Sequence, residues 1–312
     1  MKSLISKGNI LIASIIITMT VIAVYLPSLE IYRQFQDYLV HFLIILILLG
    51  LLGLIINSKV VLYSAFGCAG ILALFLKNAS YSEFKNPVIN ETRKMGVAHI
   101  NLSLLNDVES VLNAIGDTSI TVVSFQEYTP DWAGILPHVL GESFPYSVEL
   151  VQIDLTGKAI FSKTPIIHKD TFLLGNSPNL HISFLLGKDS LDLYSTYMTP
   201  ALDRSTKEKA NREFNELENL IQNDLHKKIL MGEFNQVYWS HDIIDMRNKT
   251  KLLNSRKIAY PTTAKMPYDH IFYSKDLECY SFDEIYDHTK ERIGCKASFQ
   301  QKSHKQIKRP RN

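Results

Sequence analysis

Polar side chains suited to metal and phosphate chemistry stand at the ends of four apolar, strand-like segments. In chain order these groups are Asn101, Gln126-Glu127, Gly232-Glu233-Phe234-Asn235 and Tyr268-Asp269-His270. Functional side chains of layered α/β proteins are usually found where strand ends and loops meet at one rim. Because a carboxylate at the end of a buried strand is costly unless it is paired or metal-bound, we expect Glu127, Glu233 and Asp269 to share a hard divalent cation.

Each of these residues also has an ordinary structural explanation when it is taken alone. Asn101 and Asn235 would suit turns or helix caps, and Glu127 would suit a loop or the first turn of a helix. The order of all four groups along the chain, rather than any one residue, supports the prediction of a site.

The elements that must position these groups alternate between strand-like and helical patterns. Ser119–Phe125 is a β-branched run that predicts a buried strand, and His181–Tyr197 predicts a β-hairpin. Val108–Ile115 and Lys207–Leu225 have the apolar spacing of amphipathic helices. This strand-rich mixture predicts a layered α/β domain.

Three apolar runs without a charged residue precede this domain. They are Gly8–Leu29, Tyr38–Ser58 and Val60–Leu76. Each approaches or exceeds the ~20 residues that cross a ~30 Å hydrocarbon core, so we predict three transmembrane helices. A cleaved signal peptide is the alternative for the first run, but its length and the two further spans disfavour it. The spans contain no ionisable residue apart from His41, which disfavours a transport path.

The lysines around the spans predict an orientation. Lys2, Lys7 and Lys59 would lie on one side of the membrane and Arg33 on the other. The positive-inside rule then places the N-terminus in the cytoplasm, and three crossings place the α/β domain on the extracytoplasmic side. We therefore predict a transmembrane region at 1–77, a linker at 78–95, an α/β domain at 96–300 and a basic tail at 301–312.

Charge and cysteine content limit the partners and the covalent links. The 312-residue chain has a net charge of +2, and the charges of its α/β part are interleaved. Duplex-binding proteins usually show a concentrated basic face, so nucleic acid is not favoured as the substrate. The basic tail is expected to be solvated, with attraction to anionic lipid or nucleic acid as the alternative. Cys279 and Cys295 would pair in an exported domain or remain two free thiols.

The order of the polar groups resembles the endonuclease/exonuclease/phosphatase superfamily, in its bacterial membrane-anchored branch. The match covers roughly residues 96–299. The matching segments are Asn101, Gln126-Glu127, Gly157-Lys158-Ala159-Ile160-Phe161-Ser162, Pro165-Ile166, Gly232-Glu233-Phe234-Asn235, Trp239-Ser240, Pro261-Thr262 and Tyr268-Asp269-His270. The resemblance implies a four-layer α/β-sandwich with the deoxyribonuclease-I-like fold, Mg²⁺ or Mn²⁺ as cofactor, Glu127 as the principal metal ligand, and a bacterial inner-membrane location.

The chain departs from the family pattern in the residues that handle protons. Tyr197 stands where the family has the histidine of Thr-His-Leu, and Glu233 replaces the aspartate of Gly-Asp-Phe-Asn. The closing Ser-Asp-His aligns without a gap on Lys290-Glu291-Arg292. An alternative register aligns it on Tyr286-Asp287-His288.

The resemblance implies two groups of site residues. The metal would be held by Asn101, Glu127, Glu233 and Glu291. The phosphate would be handled by Tyr197, Asn235, Asp269 and either Arg292 or His288. Tyrosine is a poor base at neutral pH, and arginine does not deprotonate in proteins.

Two functions therefore compete, and a third is structural. The first is a metal-dependent hydrolase of a phosphodiester or phosphomonoester, with reduced activity. The second is a degenerate relative that binds a phosphorylated ligand or a protein partner without turnover. The third makes the domain a scaffold for the spans. The expected partners are a phosphorylated small molecule or a lipid headgroup, together with the lipid bilayer.

Overall fold

The computed structural model describes residues 2–26, 29, 33, 35–80, 87–89, 94–105, 107–257 and 266–302. Pro261-Thr262, part of the predicted linker and the tail beyond residue 302 lie outside the described residues. The chain forms two compact units. The first contains the N-terminal helices and also Gln236–Asp245, and the second contains most of the rest of the chain.

The first unit is built on three long helices: α1 (Lys2–Tyr25), α2 (Leu39–Ile55) and α3 (Lys59–Ala79). A short 3-10 helix, Gln36–Tyr38, precedes α2. The stretches Lys7–Tyr25, Gln36–Ile55 and Lys59–Ala79 are long and apolar enough to cross a membrane. The prediction of three such helices is confirmed at the level of length and composition.

Two polar contacts join Gln236–Asp245 to the connection between α1 and α2. The guanidinium Nη2 of Arg33 lies 3.0 Å from Oδ1 of Asp242. The indole Nε1 of Trp239 donates to the backbone oxygen of Gln36 at 2.6 Å. The segment that directly follows Asn235 in the chain is therefore part of the helical unit.

The second unit is strand-rich. Its strands are β1 (Lys94–Asn101), β2 (Ile120–Gln126), β3 (Tyr146–Leu150), β4 (Lys158–Ser162), β5 (Ile166–Leu174), β6 (Ser177–Leu186), β7 (Asp189–Tyr197), β8 (Lys227–Glu233), β9 (Leu253–Asn254), β10 (Asp269–Tyr273), β11 (Leu277–Tyr286) and β12 (Arg292–Gln301). Its helices are α4 (Val108–Ile115), α5 (Pro130–Leu140) and α6 (Arg204–Asn223). A further helix, α7 (His241–Thr250), begins in the first unit and ends in the second.

The strands form two six-stranded sheets, ordered β11-β12-β1-β2-β4-β3 and β5-β6-β7-β8-β10-β9. Each sheet has one parallel pair near its centre, β1 with β2 and β7 with β8. The hydroxyls of Ser124 and Ser195 meet at 2.7 Å and link the facing sheets. The predicted α/β-sandwich is thereby confirmed.

Alternation along β1 decides which side chains can reach the space between the sheets. Ala98 and Ile100 belong to a buried cluster with residues of α4 and α5 on the outer face of the first sheet. Because successive strand residues point to opposite faces, His99 and Asn101 face the second sheet. The same strand therefore supplies both outer core and site residues.

The structure corrects one expectation about covalent links. Cys279 and Cys295 are both free and buried. In the β11–β12 ladder Cys279 pairs with Phe299, whereas Cys295 pairs with Glu284. The two sulfurs are therefore at separate positions along the ladder, and the disulfide alternative is wrong.

Candidate active site

Glu127 is positioned by a sharp change of direction at the end of β2. Its φ is 60°, a left-handed conformation that is uncommon for a residue with a side chain. The next residue, Tyr128, donates its backbone N–H to the oxygen of Gly157 at 3.1 Å. A Cβ at Gly157 would lie 2.5 Å from the Tyr128 oxygen, so glycine is required for this approach.

Glu233 and Tyr197 are brought together by a second close approach, between β7 and β8. Gly232 has φ 148°, and a Cβ there would lie 1.8 Å from the Thr196 oxygen. The parallel register places Tyr197 opposite Glu233. Asn235 follows with φ 52°, and its Nδ2 donates to the Met198 oxygen at 2.8 Å. The glycine of the Gly-Glu-Phe-Asn segment therefore serves to place side chains at the rim.

Asn101 joins carboxylates from the two sheets. Its Nδ2 donates to Oε1 of Glu127 at 3.1 Å and to Oε2 of Glu233 at 3.0 Å. Its Oδ1 accepts from the backbone N–H of Ser103 at 3.0 Å and from the Ser103 hydroxyl at 2.8 Å. Because the backbone N–H can only donate, the amide nitrogen must face the carboxylates.

This arrangement fits a hard cation. Two half-buried carboxylates both accept a hydrogen bond from the Asn101 amide nitrogen and so face one shared donor. Mg²⁺ is commonly held by one or two carboxylates, with waters and substrate phosphates completing its shell. Within the described part of the chain, no group of three acidic, histidine or cysteine side chains includes both glutamates with all ligand atoms within 4.8 Å of one another. The pair therefore offers two protein carboxylates to such a cation.

Asp269 lies in a different set of contacts from the two glutamates. Its Oδ2 is 3.8 Å from Nη2 of Arg292, and its Oδ1 is 3.7 Å from Nε2 of His99. Arg292 is 2% exposed, and its Nη1 also lies 3.3 Å from Oε1 of Glu284. Nη1 of Arg256 lies 2.5 Å from the same Glu284 oxygen. Asp269 is therefore an ionic partner of buried arginine rather than a third member of the glutamate pair.

His99 is a site neighbour that the sequence patterns did not indicate. It is completely buried, and this burial lowers its pKa, while the charge of Asp269 opposes the shift only partly. The imidazole is therefore neutral at physiological pH. Its place two residues before Asn101 on β1 was the available signal, because residues two apart on a strand share a face.

Tyr197 is a hydrogen-bond donor in this environment. Burial, followed by the negative charge of Glu233, raises the pKa of Tyr197 to about 12. Nζ of Lys158 lies 5.7 Å from the centre of the Tyr197 ring. Burial lowers the pKa of Lys158 to about 7, and its Nζ donates to the oxygens of Thr156 and Pro178 at 2.9 and 3.1 Å. Lys158 was not among the predicted site residues.

His288 and Glu291 lie away from this rim. Both are exposed in the turn between β11 and β12. Nδ1 of His288 is 3.5 Å from the Ser110 hydroxyl of α4, on the outer side of the first sheet. The Glu291 backbone N–H donates to Oδ1 of Asp287 at 2.8 Å. Of the two registers, the structure therefore places the Arg292 side chain beside Asp269 and not that of His288.

The two-sheet sandwich and the polar rim are typical of phosphoesterase-type hydrolases, and the comparison with known families agrees. The model of the Endonuclease/Exonuclease/phosphatase family matches residues 98–288, more than half of the chain. The chain belongs to this family. No curated protein matches the sequence.

Solved structures share the fold at low identity. The endonuclease/exonuclease/phosphatase from Beutenbergia cavernae DSM 12333 is 11% identical with a TM-score of 0.55, over 67% of this chain and 72% of that chain. D. rerio TDP2, humanized by 14 mutations, is 13% identical with a TM-score of 0.53, over 67% and 99%. The human Nocturnin catalytic domain with bound sulfate anion is 13% identical with a TM-score of 0.53, over 69% and 97%. At such identities the likeness concerns the fold alone.

Proposed function

We propose that this protein is a membrane-anchored, divalent-metal-dependent hydrolase of a phosphodiester or phosphomonoester. The proposal rests on one observation: Glu127 and Glu233, from different sheets, converge on the Asn101 amide nitrogen. Two carboxylates that share one amide nitrogen repel each other, and a positive partner between them would offset this repulsion. A bound Mg²⁺ or Mn²⁺ would satisfy both and would offset charge on phosphoryl oxygens.

The chain's own residues supply donors around this point. The neutral Tyr197 hydroxyl can donate to a phosphoryl oxygen, and Asn235 can position it without adding charge. The permanently charged Arg292 can stabilise negative charge but cannot take up a proton. Asp269, whose Oδ2 lies 3.8 Å from Nη2 of Arg292, is a further carboxylate that can accept a proton from the attacking water.

The missing histidines predict slow turnover. A positioned acid–base group contributes typically 10²- to 10⁴-fold to a rate. Tyr197 and Arg292 stand where the family has such groups. We therefore expect the hydrolysis rate to be about 10²- to 10⁴-fold lower than that of a relative with both histidines.

The second candidate function is ligand binding without turnover. It is favoured by the burial of Arg292 between Asp269 and Glu284, where the side chain is held by two carboxylates. In this case the rim would bind a metal and a phosphorylated ligand or a protein partner and leave it intact.

The N-terminal helices motivate the proposed substrate and location. We place the α/β domain at the extracytoplasmic face of a bacterial inner membrane, with a lipid headgroup or a phosphorylated small molecule as substrate. The contact between Arg33 and Asp242 supports an odd number of crossings, and the lysines around the spans support the orientation. Three crossings place the α1–α2 connection and the chain after α3 on the same side of the membrane.

The test uses the full chain in detergent. Calorimetry with Mg²⁺ and Mn²⁺ should show binding that Glu127→Gln abolishes, while Glu142→Gln, at an exposed position, leaves it unchanged. Hydrolysis of bis(p-nitrophenyl) phosphate and p-nitrophenyl phosphate then separates the enzyme from the binder. Absence of metal binding in the parent protein would refute both functions.

A reporter protein tests the topology separately. It is fused after Lys302, the last described residue. A reporter that is active only outside the cytoplasm is expected. Activity confined to the cytoplasm would reverse the orientation without touching the chemistry.

A further inference from the structure

A second cluster of ligand-type side chains lies at the opposite rim of the second sheet. It consists of Asp192 near the start of β7 and of Asp224 and His226 in the connection from α6 to β8. In the β7–β8 ladder Asp192 pairs with Lys228, whereas Tyr197 pairs with Glu233. Five residues of strand correspond to about 17 Å, so this cluster is separate from the candidate active site.

The donor atoms of this cluster are close to one another. One ligand atom each of Asp192, Asp224 and His226 lies within 4.8 Å of the others. Nδ1 of His226 is 2.8 Å from Oδ2 of Asp192 and 3.4 Å from Oδ1 of Asp224. Two carboxylates and an imidazole are a donor set typical of transition-metal sites.

An unsatisfied buried pair points to a missing partner. Asp192 is only 3% exposed, yet its Oδ1 has no hydrogen bond. Nε2 of His181 is also buried without a hydrogen bond and faces that oxygen at 3.6 Å. A separation of 3.6 Å is too long for a hydrogen bond. A buried carboxylate oxygen without a hydrogen bond is costly, and a cation bound to this carboxylate would offset that cost.

Neighbouring side chains hold the donors in place. The Tyr194 hydroxyl and Nζ of Lys228 contact Oδ2 of Asp224 at 3.1 and 2.8 Å, which leaves Oδ1 turned toward His226. The His181 ring stacks on Tyr194 with centroids 4.4 Å apart and planes 10° apart. Such contacts are the kind that orient metal ligands. Two carboxylates and one lysine leave the cluster with a net negative charge when the histidines are neutral.

We propose that Asp192, Asp224 and His226 form a binding site for a divalent transition metal such as Zn²⁺, with water in the fourth position. Ligands at about 2.0–2.2 Å in tetrahedral geometry are about 3.3–3.6 Å apart. The separation of 3.4 Å between His226 and Asp224 matches this range. The 2.8 Å contact between His226 and Asp192 would open by roughly half an ångström or more, which the exposed His226 ring allows.

The bound metal would fasten the α6–β8 connection to the β6–β7 hairpin. Its ligands come from β7 and from the segment between α6 and β8. Because the unfolded chain lacks this arrangement, metal binding adds to the stability of the fold.

The test is a titration with Co²⁺ of the full chain carrying Glu127→Gln, which removes the principal ligand proposed for the other metal site. Tetrahedral Co²⁺ absorbs visible light strongly, and competition with Zn²⁺ gives the affinity for zinc. We expect one bound equivalent with a tetrahedral spectrum. Loss of a residue that only hydrogen-bonds a metal ligand lowers metal affinity by roughly 10- to 100-fold. Asp192→Asn and His226→Gln each remove a ligand itself and should lower the affinity for Co²⁺ by at least this factor.

His168→Gln is the matched control. His168 is exposed on β5, and its ring centroid is 5.7 Å from that of His181, but it is not a proposed ligand. It should leave the Co²⁺ spectrum and affinity unchanged. Absence of a bound equivalent, or binding that survives both Asp192→Asn and His226→Gln, would overturn the proposal. Because the His226 side chain is exposed, His226→Gln tests the site even if Asp192→Asn fails to fold.

Discussion

The variant Asn101→Ala should show whether the Asn101 amide occupies the place of a cation between Glu127 and Glu233 or is itself a ligand of that cation. Asn101→Ala deletes two hydrogen bonds to carboxylates, of 3.1 and 3.0 Å. Hydrogen bonds to charged groups contribute about 1.5–3 kcal/mol each, and both glutamates are half-buried, so we expect a loss of about 2–4 kcal/mol of unfolding free energy. At about 2–4 °C per kcal/mol for a domain of this size, the unfolding temperature should fall by roughly 4–16 °C.

Divalent metal should reverse much of this loss. With the amide gone, Glu127 and Glu233 face each other without a shared partner, and a cation can take the vacated place. Ligand at 100 times its Kd adds about 2.7 kcal/mol to stability. The increase in unfolding temperature on adding Mg²⁺ should therefore be larger in Asn101→Ala than in the parent protein.

The assay is thermal unfolding of the full chain in detergent, with Mg²⁺ or with EDTA. Ser103→Ala is the control, because it removes only the hydroxyl contact to Asn101 at 2.8 Å and leaves both carboxylate contacts. A smaller Mg²⁺-induced increase in Asn101→Ala than in the parent would mean that Asn101 is itself a metal ligand. The present account of its orientation would then be refuted.

Three further predictions concern single side chains. Arg292→His places a titratable group beside Asp269 and should raise the rate of bis(p-nitrophenyl) phosphate hydrolysis, by up to about 10²-fold; an unchanged rate in a folded variant would contradict a role for proton transfer there. Burial lowers the pKa of Lys158 from 10.5 to about 7, so between these pH values the unfolded state binds more protons than the folded state. The free energy of unfolding should therefore rise by up to about 1.4 kcal/mol per pH unit above pH 7. Chemical denaturation of Lys158→Met without metal should lack this slope, and the same slope in both proteins would show that it arises elsewhere. Gly232→Ala should cost more than about 4 kcal/mol, because the new Cβ meets the Thr196 oxygen at 1.8 Å; Gly134→Ala in α5, where nothing lies within 4 Å, is the control and should be neutral or slightly stabilising in thermal unfolding.

Elements with strong periodicity were predicted well from the sequence. The helix predicted at Val108–Ile115 is α4 with the same bounds, because its apolar residues recur at helical spacing. The predicted hairpin is formed by β6 and β7, although both strands are longer and Gly187-Lys188 alone separates them. In each case the apolar residues recur with the period of the element, because one face of that element packs against the core.

Elements without such a pattern were missed for physical reasons. Most residues of β5 are exposed, because it is an edge strand, so its sequence lacks the alternation of a half-buried strand. Helix α5 contains Gly134 and Pro137, both poor helix formers, and depends on packing of Leu136 and Leu140 against the first sheet. Local propensity gave no sufficient signal for either element.

The sequence predicted which residue types form the candidate site, but not which side chains contact one another there. The convergence of Glu127 and Glu233 on Asn101 was expected from strand ends, whereas the diversion of Asp269 to Arg292 and His99 depends on how the two sheets face each other. Spacing along the chain carries no information about partners that come from opposite sheets. The cluster around Asp192 escaped notice because Asp192 lies on β7 and its partners follow α6, so their spacing along the chain does not indicate a contact.

The contacts of Trp239 and Arg33 bear on how this protein can be handled in the laboratory. A fragment that begins at Gly96 would keep Trp239 and Asp242 but lack the Gln36 carbonyl and the Arg33 guanidinium that they contact. The Trp239 indole N–H and Oδ1 of Asp242 would then need water or other partners, whereas Oδ2 of Asp242 would keep its hydrogen bond from Nε2 of Gln236 at 2.9 Å. Truncation to a soluble piece would thus remove the contacts that hold the Gln236–Asp245 segment in the helical unit, so activity is best measured on the full chain.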